Sequence, residues 1–165
     1  MCRNQLQFLY WRECKKPNPD KPNFFPAAAL HSQEGWLILG QMASHTTHSG
    51  YIYPPCGGLH PDDVIDVTVD LDGCMIREVQ EETGVLLSRA QFGDPMLVFD
   101  KRRIVYLRPT IIPEPAVDIA NRIKQFLETQ QEPELAAVYL VKSAADIISG
   151  KMPPFVVAYI EHRFG

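Results

Sequence analysis

From Phe24 to His31 and again from Trp36 to Met42 the chain is almost wholly apolar. The two runs flank Ser32-Gln33-Glu34-Gly35, which reads as a hairpin turn. Ala43 to Gly50 is polar, and Tyr51 to Pro55 reads as a short strand ending in a turn. The period then changes: Leu71, Cys74, Met75, Ile76 and Val79 recur at roughly helical spacing. With Asp70 or Asp72 to cap the first turn and Gly84 to close the last, a helix is expected between Asp70 and Gly84. Leu87 to Gly93 is a connection in which Ser88 caps a single turn. Met96 to Asp100 and Arg102 to Ile112 form an antiparallel pair joined tightly around Lys101. Val117, Ile119, Ala120, Ile123, Phe126 and Leu127 predict an amphipathic helix over residues 115–130, opened by a proline. A β-rich run from Leu135 to Val141, a short capped helix from Ser143 to Gly150 and a last helix from Phe155 to Arg163 complete the chain. This order predicts an α/β chain with a mixed sheet covered by helices on both faces.

The 165 residues suffice for one domain with a sizeable core. Residues 1–23, with the breaker-rich stretch Lys15 to Pro22, read as an N-terminal extension and linker, and residues 24–165 as the domain. A content of 45% hydrophobic and 22% charged residues is ordinary for a globular chain. A net charge of -4 argues against a nucleic acid polymer or an anionic membrane as the main partner, while a small phosphorylated ligand stays compatible through a bridging metal ion. Cys2, Cys14, Cys56 and Cys74 show neither a C-x-x-C pair nor a disulfide framework, which predicts a cytoplasmic location. No signal-peptide h-region and no apolar run of about 18 residues is present. A homodimer is compatible with the sequence.

On the helix from Asp70 to Gly84, Glu78, Glu81 and Glu82 stand at i, i+3 and i+4, so their carboxylates leave one face. A solvated acidic surface is the simplest account, and two costs weigh against it. Like charges four apart destabilise a helix by about 0.2 to 0.5 kcal/mol per pair, and the last turns disfavour anions by about 0.3 to 1 kcal/mol each. A hard divalent cation, Mg²⁺ or Mn²⁺, turns that repulsion into attraction and leaves coordination positions for water and phosphate oxygens. His45 and His48 lack a further Cys or His nearby and read as polar loop residues.

The stretch Arg77-Glu78-Val79-Gln80-Glu81-Glu82-Thr83-Gly84-Val85 resembles the second half of the Nudix box, G-x5-E-x7-R-E-U-x-E-E-x-G-U with U aliphatic, and matches every fixed position from the arginine onward. Pro55-Cys56-Gly57-Gly58 resembles the strand end and loop that precede the box helix. The first half departs: Gly58 to Arg77 spans 19 positions where the box has 14, and Val69 stands at the glutamate position, so that either Asp70 or Asp72 takes over the acidic position or it is vacant. The run from Leu59 to Thr68 holds the insertion.

The resemblance implies an α/β/α sandwich and metal-dependent hydrolysis of a nucleoside diphosphate linked to another group, or of a nucleoside triphosphate. By matched position Glu78, Glu81 and Glu82 are the implied metal ligands, with the backbone carbonyl near Gly58, and Arg77 orients a carboxylate. The implied base is Glu78 or a late glutamate for which Glu134, or Glu132, stands at the comparable place. Arg103 or Arg108 is expected to face the substrate phosphates if strand alternation turns it toward the site; solvated turn charge is the alternative for Lys101-Arg102-Arg103. Tyr53, with Trp36, Tyr51, Phe99 and Tyr106, is a candidate for contact with the nucleotide. The main alternative is a nucleotide-binding or regulatory domain of this fold that does not cleave. A diphosphate isomerase of related fold is a third reading, kept open only by Cys56.

Overall fold

The computed structural model describes residues 22–101 and 103–165. The expected N-terminal extension and linker, apart from Pro22 and Asn23, and the expected strand start at Arg102 therefore lie outside the described residues.

In chain order the strands are β1 (Asn23–His31), β2 (Leu37–Met42), β3 (Ile52–Tyr53), β4 (Val64–Ile65), β5 (Thr68–Val69), β6 (Gln91–Phe92), β7 (Met96–Asp100), β8 (Arg103–Ile111) and β9 (Leu135–Val141). Among the described residues three α-helices accompany them: α1 (Leu71–Thr83), α2 (Ala116–Glu128) and α3 (Pro154–Phe164). One mixed sheet runs β3-β2-β1-β8-β6, with β7 also on β8 and β9 also on β2. β1 and β8 run parallel in unbroken register from Asn23↔Arg103 to His31↔Ile111, while the pairs of β2 with β1, β3 and β9 are antiparallel. β4 and β5 form a separate small hairpin.

A strand covered on both faces needs apolar residues throughout, which explains why β1 does not alternate. Phe25, Ala27 and Ala29 join Val105, Leu107, Phe155, Val156 and Tyr159 under α3. Ala28 and Leu30 point the other way, into a second core with Met75 and Val79 of α1 and Ile119 and Ile123 of α2. The result is the expected α/β/α sandwich.

Three local expectations are corrected. Leu87 to Gly93 makes a turn in which the Ala90 N–H donates to the Leu87 carbonyl (3.1 Å) and then adds the two-residue strand β6 to β8. Ser143 to Gly150 is a 3₁₀ turn over Ala144–Asp146 rather than a longer helix, because Asp146 accepts from the Lys142 and Ser143 N–H groups and folds the segment back on itself. Ile76, counted in the apolar stripe of α1, is exposed. Among the described residues no helix is long and apolar enough to cross a membrane.

Candidate active site

Helix α1 starts and stops on its own chemistry. The Asp70 carboxylate accepts from the Gly73 N–H at 2.8 Å, which is the N-cap. Gly84 closes the other end with φ 69°, its N–H donating to the Gln80 carbonyl at 2.9 Å. Cys74, Met75 and Val79 are buried against the sheet, and the same face carries Glu82 inward, so that only 9% of Glu82 is exposed.

Arg77 organises the acidic face. Its Nη1 donates to Glu78 Oε1 at 2.6 Å and lies 3.5 Å from Glu81 Oε2, while Nη2 reaches both carboxylate oxygens of Asp63 at 3.3 and 3.4 Å. Asp63 is the residue the sequence reading missed. Neither Asp70 nor Asp72 takes the acidic position: Asp70 is spent on the cap, and Asp72 binds Arg108 and the Tyr106 hydroxyl. Counting from Gly57 instead of Gly58, five residues separate the glycine from Asp63, as in the box. The extra residues are then 64–69, the β4–β5 hairpin, and residues 70–76 restore the seven-residue spacing to Arg77. The Asp70 N–H donates to the Asp63 carbonyl at 2.7 Å, so the hairpin leaves and rejoins the chain at one point.

Gly57 lies against this cluster. A Cβ there would fall 1.9 Å from Glu78 Cδ and 2.0 and 2.3 Å from its two oxygens, so only glycine lets the backbone approach the carboxylate. The Gly58 carbonyl accepts a weak hydrogen bond from Cys74 Sγ at 3.8 Å.

The electrostatics of the cluster are those of anions held together out of water. Burial pushes the Glu78 carboxyl up; Arg77 opposes the shift and Glu81 and Glu134 add to it. Glu82 is raised well above the carboxylate range, by burial first and then by Glu134 and Glu78. Burial and then Glu82 and Glu78 likewise raise the Cys56 thiol, Arg103 pulling the other way, and Tyr53 is raised by burial, Cys56, Glu82 and Glu134. Glu134, on the turn before β9, thus adds to the negative field at Glu82 and Glu78, and Tyr53, Cys56 and Arg103 take part in the same field.

This donor set fits a hard divalent cation. Its oxygens are carboxylates, they repel one another, and the two buried members are driven toward the neutral form when no cation is near. Among the described residues no three His, Cys, Asp or Glu side chains are grouped so that they could hold a metal ion by themselves. Mg²⁺ asks for less, since it keeps several waters and is held by one or two carboxylates plus substrate phosphates.

Beside Gly57 and Gly58 a cavity of about 1090 Å³ opens on the α3 side, walled by Phe25, Tyr51, Tyr53 and Phe155 and edged by Asp100 and Arg103. Strand alternation separates the two arginine candidates. Arg103 shares a face with Val105 and Leu107, whereas Arg108 leaves the opposite face, tied to Asp72 and the Gly93 carbonyl and lying 5.2 Å from the Phe92 ring centroid. Tyr53 and Tyr51 reach the cavity; Trp36 lies under Lys142, Tyr106 is bonded to Asp72, and Phe99 is 72% exposed. His48 sits edge-on to Tyr53 with ring centroids 6.1 Å apart, and His45 is exposed.

No sequence profile of a known family and no curated protein matches this chain. The fold does match solved structures. A Nudix hydrolase from M. smegmatis, RenU, superposes with a TM-score of 0.58 at 12% identity, covering 86% of this chain and 83% of that one. The Nudix domain of Shewanella oneidensis NrtR, solved with ADP-ribose, gives 0.55 at 15% identity over 91% and 93%. A C. elegans Ap4A hydrolase gives 0.53 at 15% identity over 85% and 89%. The chain has the Nudix fold.

Proposed function

We propose that the protein is a metal-dependent pyrophosphohydrolase that cleaves the diphosphate linkage of a nucleoside diphosphate joined to another group, or of a nucleoside triphosphate, by attack of water on phosphorus. The observation that carries this reading is the Glu78 carboxylate resting on Gly57 and held by Arg77, which also binds Asp63, with Glu82 buried on the same helix and Glu134 adding to the negative field around it. A binding surface has no use for mutually repelling carboxylates of which two, Glu78 and Glu82, are drawn out of water.

Mg²⁺ or Mn²⁺, when bound, neutralises the diphosphate oxygens and acidifies a water. Glu78, Glu81 and Glu82 would hold it, the backbone near Gly58 offering a further oxygen. Arg77 keeps Glu78 in one rotamer, so the carboxylate enters the reaction oriented. Gly57 lets the backbone lie against that carboxylate and excludes a side chain from the place where the diphosphate must sit. Glu78 or Glu134 accepts the proton of the attacking water. Arg103, on the cavity side, supplies positive charge to the phosphates. The ligands on this reading are small phosphorylated nucleotides, and the absence of a disulfide pattern fits a cytoplasmic setting. The similar solved structures of a Nudix domain with ADP-ribose and of an Ap4A hydrolase support the substrate class.

A second reading is a nucleotide-binding regulatory domain, favoured by the shorter Asp63 at the box position and its looser contact with Arg77 (3.3 Å, against 2.6 Å for Glu78). The two readings separate in one experiment: product release from a panel of nucleoside diphosphate derivatives and triphosphates with Mg²⁺, Mn²⁺ or EDTA, for wild type and Glu82→Gln. Metal-dependent release lost in the variant supports the hydrolase. Nucleotide binding without turnover on any member supports the regulatory domain.

A further inference from the structure

The end of β7 carries a buried carboxylate that the proposed hydrolysis does not use. Asp100 is 6% exposed, and its Oδ2 has no hydrogen-bond partner among the described residues. Arg103 Nε stands 3.5 Å from it, near enough for attraction but without a hydrogen bond. A buried carboxylate oxygen lacking a donor is costly and uncommon, and a ligand that supplies one removes the cost. The strand geometry aims the group: Asp100 pairs with Arg103, as Val98 pairs with Val105 and Met96 with Leu107, so Asp100 leaves the α3 face of the sheet and lines the large cavity. Lys101, which follows it at φ 49°, takes the left-handed backbone conformation of a tight turn.

The remaining walls describe what enters. Phe25 and Phe155 meet edge to face with centroids 5.9 Å apart, Tyr53 is half-buried, and Tyr51 is 44% exposed. Lys101, Arg103 and His48 also line the cavity, and Asp100 is its carboxylate; flat aromatic walls with that one acceptor-only side chain suit a flat ring that carries N–H donors. The cavity reaches Gly57, on which the Glu78 carboxylate rests, so a nucleotide with its phosphates at the acidic cluster has its base beside these aromatic rings.

We propose that this cavity is the nucleoside subsite and that Asp100 is its specificity-determining residue, accepting a hydrogen bond from an amino group of the base. The proposal rests on the hydrolase reading for the placement of the phosphates, and its test does not require turnover. Calorimetric titration of the full chain in Mg²⁺ compares adenosine 5′-monophosphate with the purine riboside monophosphate that lacks the amino group, and guanosine with inosine 5′-monophosphate, none of which contains a diphosphate linkage to cleave. The aminated member of at least one pair should bind roughly tenfold more tightly, as a hydrogen bond to a charged acceptor implies. Asp100→Ala should abolish the preference and Asp100→Asn, which keeps an acceptor oxygen, should retain part of it, with thermal melts confirming that both variants fold. Equal binding within both pairs, absence of nucleotide binding, or an unchanged preference in Asp100→Ala overturns the assignment. Loss of affinity on 2′-deoxy substitution with no effect of the amino group also overturns it, and transfers Asp100 to the ribose. Turnover without a base preference leaves the hydrolase standing and removes this subsite; a base preference without turnover does the reverse.

Discussion

The approach of Gly57 to Glu78 is the most exacting contact in the site, and Gly57→Ala tests it. The added methyl would lie 1.9 Å from Glu78 Cδ, where ordinary contact begins at 3.4 Å, so the carboxylate must retreat by about 1.5 Å. It has little room to do so. Arg77 Nη1 holds Oε1 at 2.6 Å, Asp63 holds Arg77, and the helix beneath is fixed by buried Met75 and Val79. Retreat therefore breaks a charge-assisted hydrogen bond, a loss of about 1.5 to 3 kcal/mol. Displacing a positioned group by about 1 Å costs on the order of 100-fold in rate. The assay is kcat with saturating Mg²⁺ on the best substrate of the panel, alongside a thermal melt. The expected result is a fall in kcat of roughly 100-fold with a Tm lowered by several degrees. In a Glu78→Gln background the same glycine substitution should add little further loss, because both changes act through one carboxylate. A folded Gly57→Ala protein within threefold of wild-type kcat would refute the reasoning.

Asp63→Asn should leave the fold intact and lower kcat by about 10- to 100-fold, the usual cost of removing a group that orients a metal-site residue; steady-state kinetics at wild-type rates would return the acidic role to another side chain. Gly84→Ala forces a side chain to φ 69° and sets its Cβ 2.5 Å from the Phe126 ring, so urea denaturation should show a loss of roughly 1 to 3 kcal/mol. His31 is buried and bonded to the Tyr159 hydroxyl at 2.8 Å, and burial, with Arg163 adding, holds its imidazole below the usual range while the Gly35 carbonyl works against the shift. The unfolded chain then takes up a proton below about pH 6.5 before the folded one does, so the contribution of the neutral ring is complete above that pH and is lost as pH falls toward the folded value. The urea midpoint of wild type should drop more steeply between pH 7.5 and 5.5 than that of His31→Gln, and parallel curves would exclude the linkage.

How far the sequence could be read follows from how local each signal is. Helix α1 was legible because cap, stripe and terminal glycine all lie within the segment, as they do for the β1–β2 hairpin. Glu78, Glu81 and Glu82 were legible because helical spacing alone puts them on one face. Asp63 was not, because its contact with Arg77 depends on a hairpin whose two ends are joined by a backbone hydrogen bond between residues distant in the spacing pattern. Glu134 stood as one of two candidates, since its electrostatic influence on Glu82 arises only once the turn before β9 is folded against the rest. The arginine pair was half legible: residues five apart on one strand face opposite ways, so one of Arg103 and Arg108 had to turn from the site, and the partner of Asp72 shows which. Asp100 carried no signal at all, because an orphaned oxygen exists only once the strands are assembled.

The central claim is that the carboxylates beside Gly57 direct water onto phosphorus. Hydrolysis of a nucleoside diphosphate derivative in ¹⁸O-labelled water, with the products weighed by mass spectrometry for wild type and Glu82→Gln, tests it most directly. The account predicts metal-dependent incorporation of one ¹⁸O into a phosphate of one product by wild type, and essentially none by the variant. Label on a carbon atom, or equal incorporation by both proteins, would contradict it.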